Sequence, residues 1–433
     1  MKSSIAILGF CAAVLTLAAM PEGERIDRTY AFGSGAAEGI RVSASSLYAS
    51  GAGYGFDLTE PPVDAAGACI ADRAFFFSVD LPEGDYDVTL LVGNPDHEAE
   101  ITVRGESRRL LLEKVRTRKG EYSEQSFTVN LRNTRIGEGR EVRIKPREVR
   151  KLNWDDKLTL ELNGVHPGVR SVRIRRAEKP LTVFLCGNST VVDQDNEPWC
   201  GWGQMIPRFF RAGVSFANYA ESGEAGNTFI AAGRLEKLLT QAKAGDYIFV
   251  EFGHNDQKQK GEGKGAWLSY TQSLRTFVTE ARRRGMKPVL LTPMHRRTFD
   301  ESGRIVNSHG DYPAAVRKLA ADENVPLIDL HAMSATLYEA WGRDLSVKAF
   351  VHYPAGTFPG QVKALADNTH FSAYGGYEIA KCVVEGMREN GLTDILQFLR
   401  PDYAPFNPLQ PDDVGQFSLP LSPFAEVEKP DGN

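Results

Sequence analysis

Four short segments of the chain carry residues suited to acyl transfer. Ser189 stands in "LCGNSTVV", directly after the apolar run "LTVF". A serine nucleophile needs a base within hydrogen-bond reach, a group that orients the base, and N–H donors aimed at the developing oxyanion. Asp367 and His370 are three apart in "DNTH", a spacing that one helical or 3₁₀ turn brings to one side. His370 is the candidate base and Asp367 its orienting carboxylate. Three candidate donors complete the set: the Ser189 N–H at the start of a predicted helix, the Gly223 N–H in "AESGEAGN", and the side-chain amide of Asn255 in "GHND". Taken singly, Ser189 reads first as a helix cap and "DNTH" as a surface turn, the commoner roles of such residues.

The elements around these segments decide whether they can meet. From Pro180, buried-type runs alternate with helical stretches: strands are predicted at "LTVFLC", "VSFANY", "DYIFVEFG", "KPVLLTP" and "VPLIDL". Between them fall "GWGQMIPRFFRAG", "NTFIAAGRLEKLLTQAKAG", "WLSYTQSLRTFVTEARRRG" and "YPAAVRKLAADEN", and "YEIAKCVVEGMREN" follows. Five apolar strands with crossover helices predict an α/β fold, a doubly wound parallel sheet of three layers. Ligands of such sheets sit at the carboxyl ends of the strands. Ser189, Gly223 and Asn255 follow the first three strands, Arg296 and Arg297 follow the fourth, and "DNTH" precedes the last helix. His254 and Asp256, beside Asn255, are read as structural.

Residues 24–179 have another pattern. Short alternating strands such as "AFFFSVDLPEGDYDVTLLVGN" and "KLTLELNG", punctuated by Gly, Asp, Asn and Pro, predict an antiparallel β-sandwich with no catalytic residues. The division is thus 24–179 for the sandwich, 180–400 for the α/β part and 401–433 for an irregular tail.

At 433 residues, 42% hydrophobic and 25% charged, the chain has an ordinary globular composition and room for two cores. Residues 1–20, "MKSSIAILGFCAAVLTLAAM", have the form of a signal peptide with cleavage near Ala19 or Met20, so a secreted or periplasmic bacterial protein is expected, off the membrane once cleaved. Past Cys11, four cysteines remain: Cys69, Cys186, Cys200 and Cys382. A Cys186–Cys200 bridge and buried free thiols are both open. No His/Cys cluster has zinc spacing, and no metal or cofactor is expected. Net charge is −5, yet residues 104–151 hold 15 Lys and Arg against 7 Glu and no Asp. That run reads as a solvated face or as a surface for an anionic polymer; nucleic acid is not expected.

The ordered set Ser189, Gly223, Asn255 and Asp367-x-x-His370 resembles the four blocks of the SGNH (GDSL-type) hydrolases. Within that family, "GNSTVVD", "NYAESGEAGNTF", "FGHND" and "DNTH" look most like the rhamnogalacturonan acetylesterase branch (carbohydrate esterase family 12) over residues 181–392. The sandwich segment "DLPEGDYDVTLLVGN" resembles galactose-binding-like domains. The resemblance implies a flavodoxin-like fold, metal-free ester hydrolysis by Ser189, and acetylated pectic polysaccharide as substrate. Asn188 departs from the family's usual Asp before the serine. The G-x-S-x-G elbow of α/β-hydrolases is absent. Trp199 and Trp202 are candidates for stacking on sugar rings or for core packing, and Arg296 and Arg297 for pairing with a galacturonate carboxylate. Acetylated xylan or a lipid or thioester acyl group stand as alternative substrates, and a non-catalytic glycan-binding protein as an alternative of another class.

Overall fold

A computed structural model describes residues 26–35 and 38–430; the leader-like stretch 1–20 lies outside the described residues. Residues 26–176 form two facing sheets around one core. The first places Tyr122–Leu131, Gly84–Gly93, Gly168–Arg176 and Asp27–Phe32 side by side, and the second is ordered Tyr54–Asp57, Phe75–Asp80, Lys157–Val165, Ala99–Gly105, Arg109–Thr117. The alternation seen in the sequence is the reason. Tyr86, Val88, Leu90 and Val92 point into the core with Phe75 and Phe77, while Asp87 and Thr89 between them are partly exposed.

The second half is built on five parallel strands, β1 (Leu181–Gly187), β2 (Val214–Asn218), β3 (Tyr247–Glu251), β4 (Lys287–Leu291) and β5 (Leu327–Ile328), in the order β2-β1-β3-β4-β5. Both faces are covered. Val183 and Leu185 of β1 enter one core and Phe184 and Cys186 the other, which explains the unbroken apolar runs. The order reverses between β1 and β3, so the loops after these two strands flank the switch point.

The helices differ from expectation in three places. The stretch predicted as one helix from Asn227 is two, α2 (Gly226–Ala231) and α3 (Arg234–Gln241), because Gly233 turns left-handed with φ +81° between them. The helix predicted from "GWGQ" is a short α1 (Trp202–Met205) running into a 3₁₀ turn. After α4 (Thr271–Arg283) and α5 (Tyr312–Asp322) comes α6 (Leu330–Ser346), for which no helix was predicted. Asp329 caps α6 by accepting from the Ala332 N–H, and Gly342, at φ +67°, kinks it and blurs its periodicity. The last long helix, α7 (Ala373–Glu389), follows a two-stranded ribbon of β6 (Phe350–Tyr353) and β7 (Leu365–Phe371). No helix among the described residues is long and apolar enough to cross a membrane.

The basic run is a solvated face only in part: Arg116, Arg118, Lys119, Arg135, Arg140, Arg143 and Arg150 are exposed, but others turn inward. Arg104, Arg108, Arg109 and Lys151 are buried and paired with Glu161, Glu197, Asp193 and Glu221, the last three of these in the α/β half. Their carboxylate partners lie far off in sequence, so the run looked unbalanced only locally. Buried charges of this kind persist only when paired and hydrogen-bonded. Residues 402–430 hold no helix or strand, but they dock along both halves: Arg104 donates to the Pro420 carbonyl, Asn163 to that of Leu421 at 2.8 Å, and Glu197 pairs with Ala425 in a parallel bridge. All four cysteines from Cys69 onward are free and buried.

Candidate active site

Ser189 lies on a single tight turn, with no helix behind it. Val191 and Val192 both donate to the Asn188 carbonyl at 3.0 Å, and the chain then runs irregularly to α1 at Trp202. The expected helix start at Ser189, and with it any helix-dipole contribution to an oxyanion, is therefore absent. The cap of the turn is Asn188, whose Oδ1 accepts from the Thr190 N–H at 3.0 Å and the Thr190 hydroxyl at 2.9 Å. The turn is tight because Gly187 has no side chain: a Cβ there would lie 2.4 Å from Val191 Cγ2 and 2.9 Å from the Glu251 carbonyl. Beneath it, the Thr190 hydroxyl is also 3.0 Å from Glu251 Oε2, and burial pushes the Glu251 carboxyl up to about 8. A sandwich residue steadies the loop beyond. Arg109 donates through Nε and an Nη to Asp193, which also accepts from Asn218.

The segment "DNTH" is not helical. It lies on β7, where Asp367 Oδ1 accepts from the backbone N–H groups of Thr369 at 2.7 Å and His370 at 2.9 Å. Those bonds fold the strand locally, as Asx turns do, so that residues three apart meet where an ordinary strand would point them to opposite faces. Asp367 Oδ2 is 2.9 Å from His370 Nδ1, and His370 Nε2 is 2.9 Å from Ser189 Oγ. The hydroxyl, imidazole and carboxylate thus stand in one line, all three buried. Burial lowers the His370 pKa, and the bond to Asp367 only partly offsets it. Burial works to raise the Asp367 carboxyl, but the bonds from His370 and from the two backbone N–H groups hold it well below the usual carboxylate range.

Gly223 and Asn255 lie in the loops that follow β2 and β3. Gly223 adopts φ +80° in the loop after β2, a conformation that favours glycine. The neighbouring Ser222 hydroxyl accepts from Gln194, which also donates to the Ser189 carbonyl. Asn255, in the loop after β3, donates one amide hydrogen to the Glu224 carbonyl at 3.0 Å, and its oxygen accepts from Lys258. That arrangement fixes the amide's orientation and leaves its second hydrogen for a ligand. Asp256 accepts from the N–H groups of Gly226 and Gly253 and ties the β2 and β3 loops together, and His254 is buried beside it.

The four substrate candidates fare differently. Trp202 is 1% exposed with its indole N–H toward Glu251, so it has no face for a sugar. Trp199 donates to the Glu426 carbonyl and sets its ring edge against His370, 5.5 Å between centroids. Arg297 braces the protein itself, donating to Ser346 and Asn368. Arg296 is partly buried, within 3.4 Å of the His254 carbonyl and His309. Sequence reasoning passed over Lys429, whose ammonium is 3.3 Å from Asp367 Oδ2. A lone lysine near the end of a Pro- and Asp-rich tail carries no signal of its place. Among the described residues no group of His, Cys, Asp and Glu is arranged to hold a metal ion.

Residues 185–375 match the model of the GDSL-like lipase/acylhydrolase family. Over 217 residues the chain is 42% identical to rhamnogalacturonan acetylesterase RhgT of Bacillus subtilis, an alignment spanning 50% of this chain and 93% of RhgT. It is 33% identical over 213 residues to the probable rhamnogalacturonan acetylesterase YesY of the same organism, spanning 48% of this chain and 94% of YesY. Among solved structures, that of B. subtilis YxiM aligns over 85% of this chain and 99% of its own at 22% identity, with a TM-score of 0.46. The protein is a carboxylic ester hydrolase. It belongs to the GDSL-like lipase/acylhydrolase family.

Proposed function

We propose that the protein is a polysaccharide O-acetylesterase that removes acetyl groups from a pectic polysaccharide, specifically rhamnogalacturonan. The observation that carries the reading is the unbroken line Ser189 Oγ, His370 Nε2 and Nδ1, Asp367 Oδ2, with 2.9 Å at each step, in a chain whose relatives RhgT and YesY bear the name rhamnogalacturonan acetylesterase. Ser189 Oγ attacks the acetyl carbonyl as His370 Nε2 takes its proton. Asp367 holds the tautomer that leaves Nε2 free and favours the imidazolium. The oxyanion accepts from the Ser189 and Gly223 N–H groups and the Asn255 amide. His370 then returns the proton to the departing sugar oxygen, acetyl-Ser189 remains, and water activated by the same nitrogen releases acetate.

The division at residue 180 and an exported location belong to this reading, with the leader-like residues 1–20 as the support for export. The sandwich is a galactose-binding-like accessory in the same proposal. The experiment is acetate release from acetylated rhamnogalacturonan, homogalacturonan and xylan by the parent and by Ser189→Ala. Release from rhamnogalacturonan by the parent alone is the expected result. Preference for xylan, or undiminished release by Ser189→Ala, overturns the reading.

A further inference from the structure

A cavity of about 880 Å³ opens where the sandwich, the loop after β1 and the C-terminal segment meet. Ligand pockets commonly run from about 300 to 1,000 Å³. Three of its lining residues each touch one member of the reacting line. Gln194 donates to the Ser189 carbonyl at 3.1 Å, Trp199 lies edge-on to His370, and Lys429 is 3.3 Å from Asp367. None of Ser189, His370 and Asp367 lines the cavity itself, which lies directly behind the residues that touch them.

The C-terminal segment builds much of the cavity wall. Glu197 donates its N–H to the Phe424 carbonyl at 2.9 Å and accepts from the Glu426 N–H at 2.9 Å, while the Ser422 hydroxyl donates to Glu161 of the sandwich. Phe424 packs on Phe76 of the sandwich at 5.6 Å and still leaves 37% of its surface open, as Leu58 opposite leaves 43%. Five basic residues line the space: Arg108, Lys145 and Arg147 are paired with Glu197, Glu224 and Glu221 of the protein itself, which sets Arg150 and Lys429 apart. Arg150 is exposed with no ion-pair partner among the described residues, and about half of the Lys429 side chain is exposed. Asp195, Glu426 and Glu428 line the same space and can accept from hydroxyls. Apolar faces suit the C–H faces of sugar rings, cations suit pendant carboxylates, and carboxylates suit ring hydroxyls.

We propose that this cavity binds the stretch of acidic polysaccharide that flanks the acetylated sugar, with Arg150 and Lys429 receiving its carboxylates. The sandwich and the C-terminal segment are then parts of substrate recognition. The inference rests on the pectic reading above and locates the polymer within it.

The test is calorimetric titration of the full chain carrying Ser189→Ala with deacetylated acidic rhamnogalacturonan oligosaccharides and with neutral xylo-oligosaccharides of equal length. The acidic ligand should bind more tightly, and binding should weaken with salt. Adding Arg150→Gln and Lys429→Gln should weaken it at least tenfold, and Phe424→Ala should weaken acidic and neutral ligands alike. In the active enzyme the Arg150→Gln loss should fall on KM for acetylated rhamnogalacturonan oligosaccharide. No binding by the Ser189→Ala parent, equal affinity for the neutral ligand, or unchanged affinity in the double variant overturns the proposal. Preference for acetylated xylan in the release experiment defeats the pectic reading itself. Efficient release from rhamnogalacturonan with no effect of Arg150 and Lys429 defeats only the placement of the polymer here.

Discussion

His370 Nε2 lies 2.9 Å from Ser189 Oγ, across 181 residues of sequence. Nothing local holds the pair together. The turn after β1 fixes the hydroxyl, the Asp367 bonds fix the imidazole, and the packing of α7 and the parallel sheet sets the gap. Replacing Ser189 by Ala should lower kcat by about 10⁴-fold with an unchanged melting temperature, and Asp367→Asn should cost a comparable factor by freeing the wrong tautomer. Hydrolysis of p-nitrophenyl acetate measures both, and a variant within tenfold of the parent would remove that residue from the mechanism.

The pH profile follows from burial of the imidazole. His370 must be neutral to accept a proton, and its pKa lies below the ordinary 6.5 because burial disfavours the imidazolium more than Asp367 favours it. Lys429 and Lys258 push in the same direction. The acid limb of kcat/KM should therefore have its midpoint below pH 6.5, and activity should fall as pH drops through it. Lys429→Gln should move the limb upward. A parent limb at or above pH 6.5 contradicts this account of the site.

Removing the Asn255 amide tests the oxyanion assignment. Asn255→Ala should reduce kcat about 10²- to 10³-fold while KM changes little, because the donor acts on charge that develops only in the transition state. A rise in KM at constant kcat would assign Asn255 to ground-state binding.

Gly187 sets the position of the turn that carries Ser189. A methyl group at this position meets Val191 at 2.4 Å and must displace the turn that carries Ser189. Gly187→Ala should lower kcat about 10²-fold, the usual consequence of moving a reacting group by about 1 Å. Unaltered kcat in a folded variant would show that the turn tolerates the shift.

Asn188 and Glu251 share one hydroxyl, that of Thr190. With its carboxyl raised to about 8 from an ordinary 4.5, Glu251 binds its proton more tightly in the folded protein. Its contribution to stability is complete below pH 4.5 and is lost as pH rises toward 8. Glu251→Gln should flatten the fall in melting temperature between pH 5 and 8. Asn188→Asp should steepen it, since it adds a second fully buried carboxyl beside Glu251 whose charged form burial disfavours. Melting curves at the two pH values decide the matter, and identical slopes for all three proteins would exclude coupling through Thr190.

Much of this site was legible in the chain, and particular residues show the limit. "LTVFLC" and "DYIFVEFG" read as buried parallel strands because both faces of each strand meet apolar side chains, so the polar residues after them had to collect at one edge. That argument singled out Ser189, Gly223, Asn255, Asp367 and His370 as candidates, and Ser189, His370 and Asp367 do come within hydrogen-bond reach of one another. The conformations of the segments were not legible. "DNTH" was expected on a helical turn, and it meets on a strand because a carboxylate accepts from its own backbone.

Residue type and local period, which the chain carries in itself, determined the sheet, the cores and the candidates for the reacting groups. Tertiary structure alone decided which charges are partners and which aromatic faces are open. Arg109 and Asp193 are 84 residues apart, and Lys429 reaches Asp367 from a tail without regular structure. Hydrophobic periodicity is a property of neighbours along the chain. An ion pair in a junction depends on where two distant surfaces meet, and no local pattern records that.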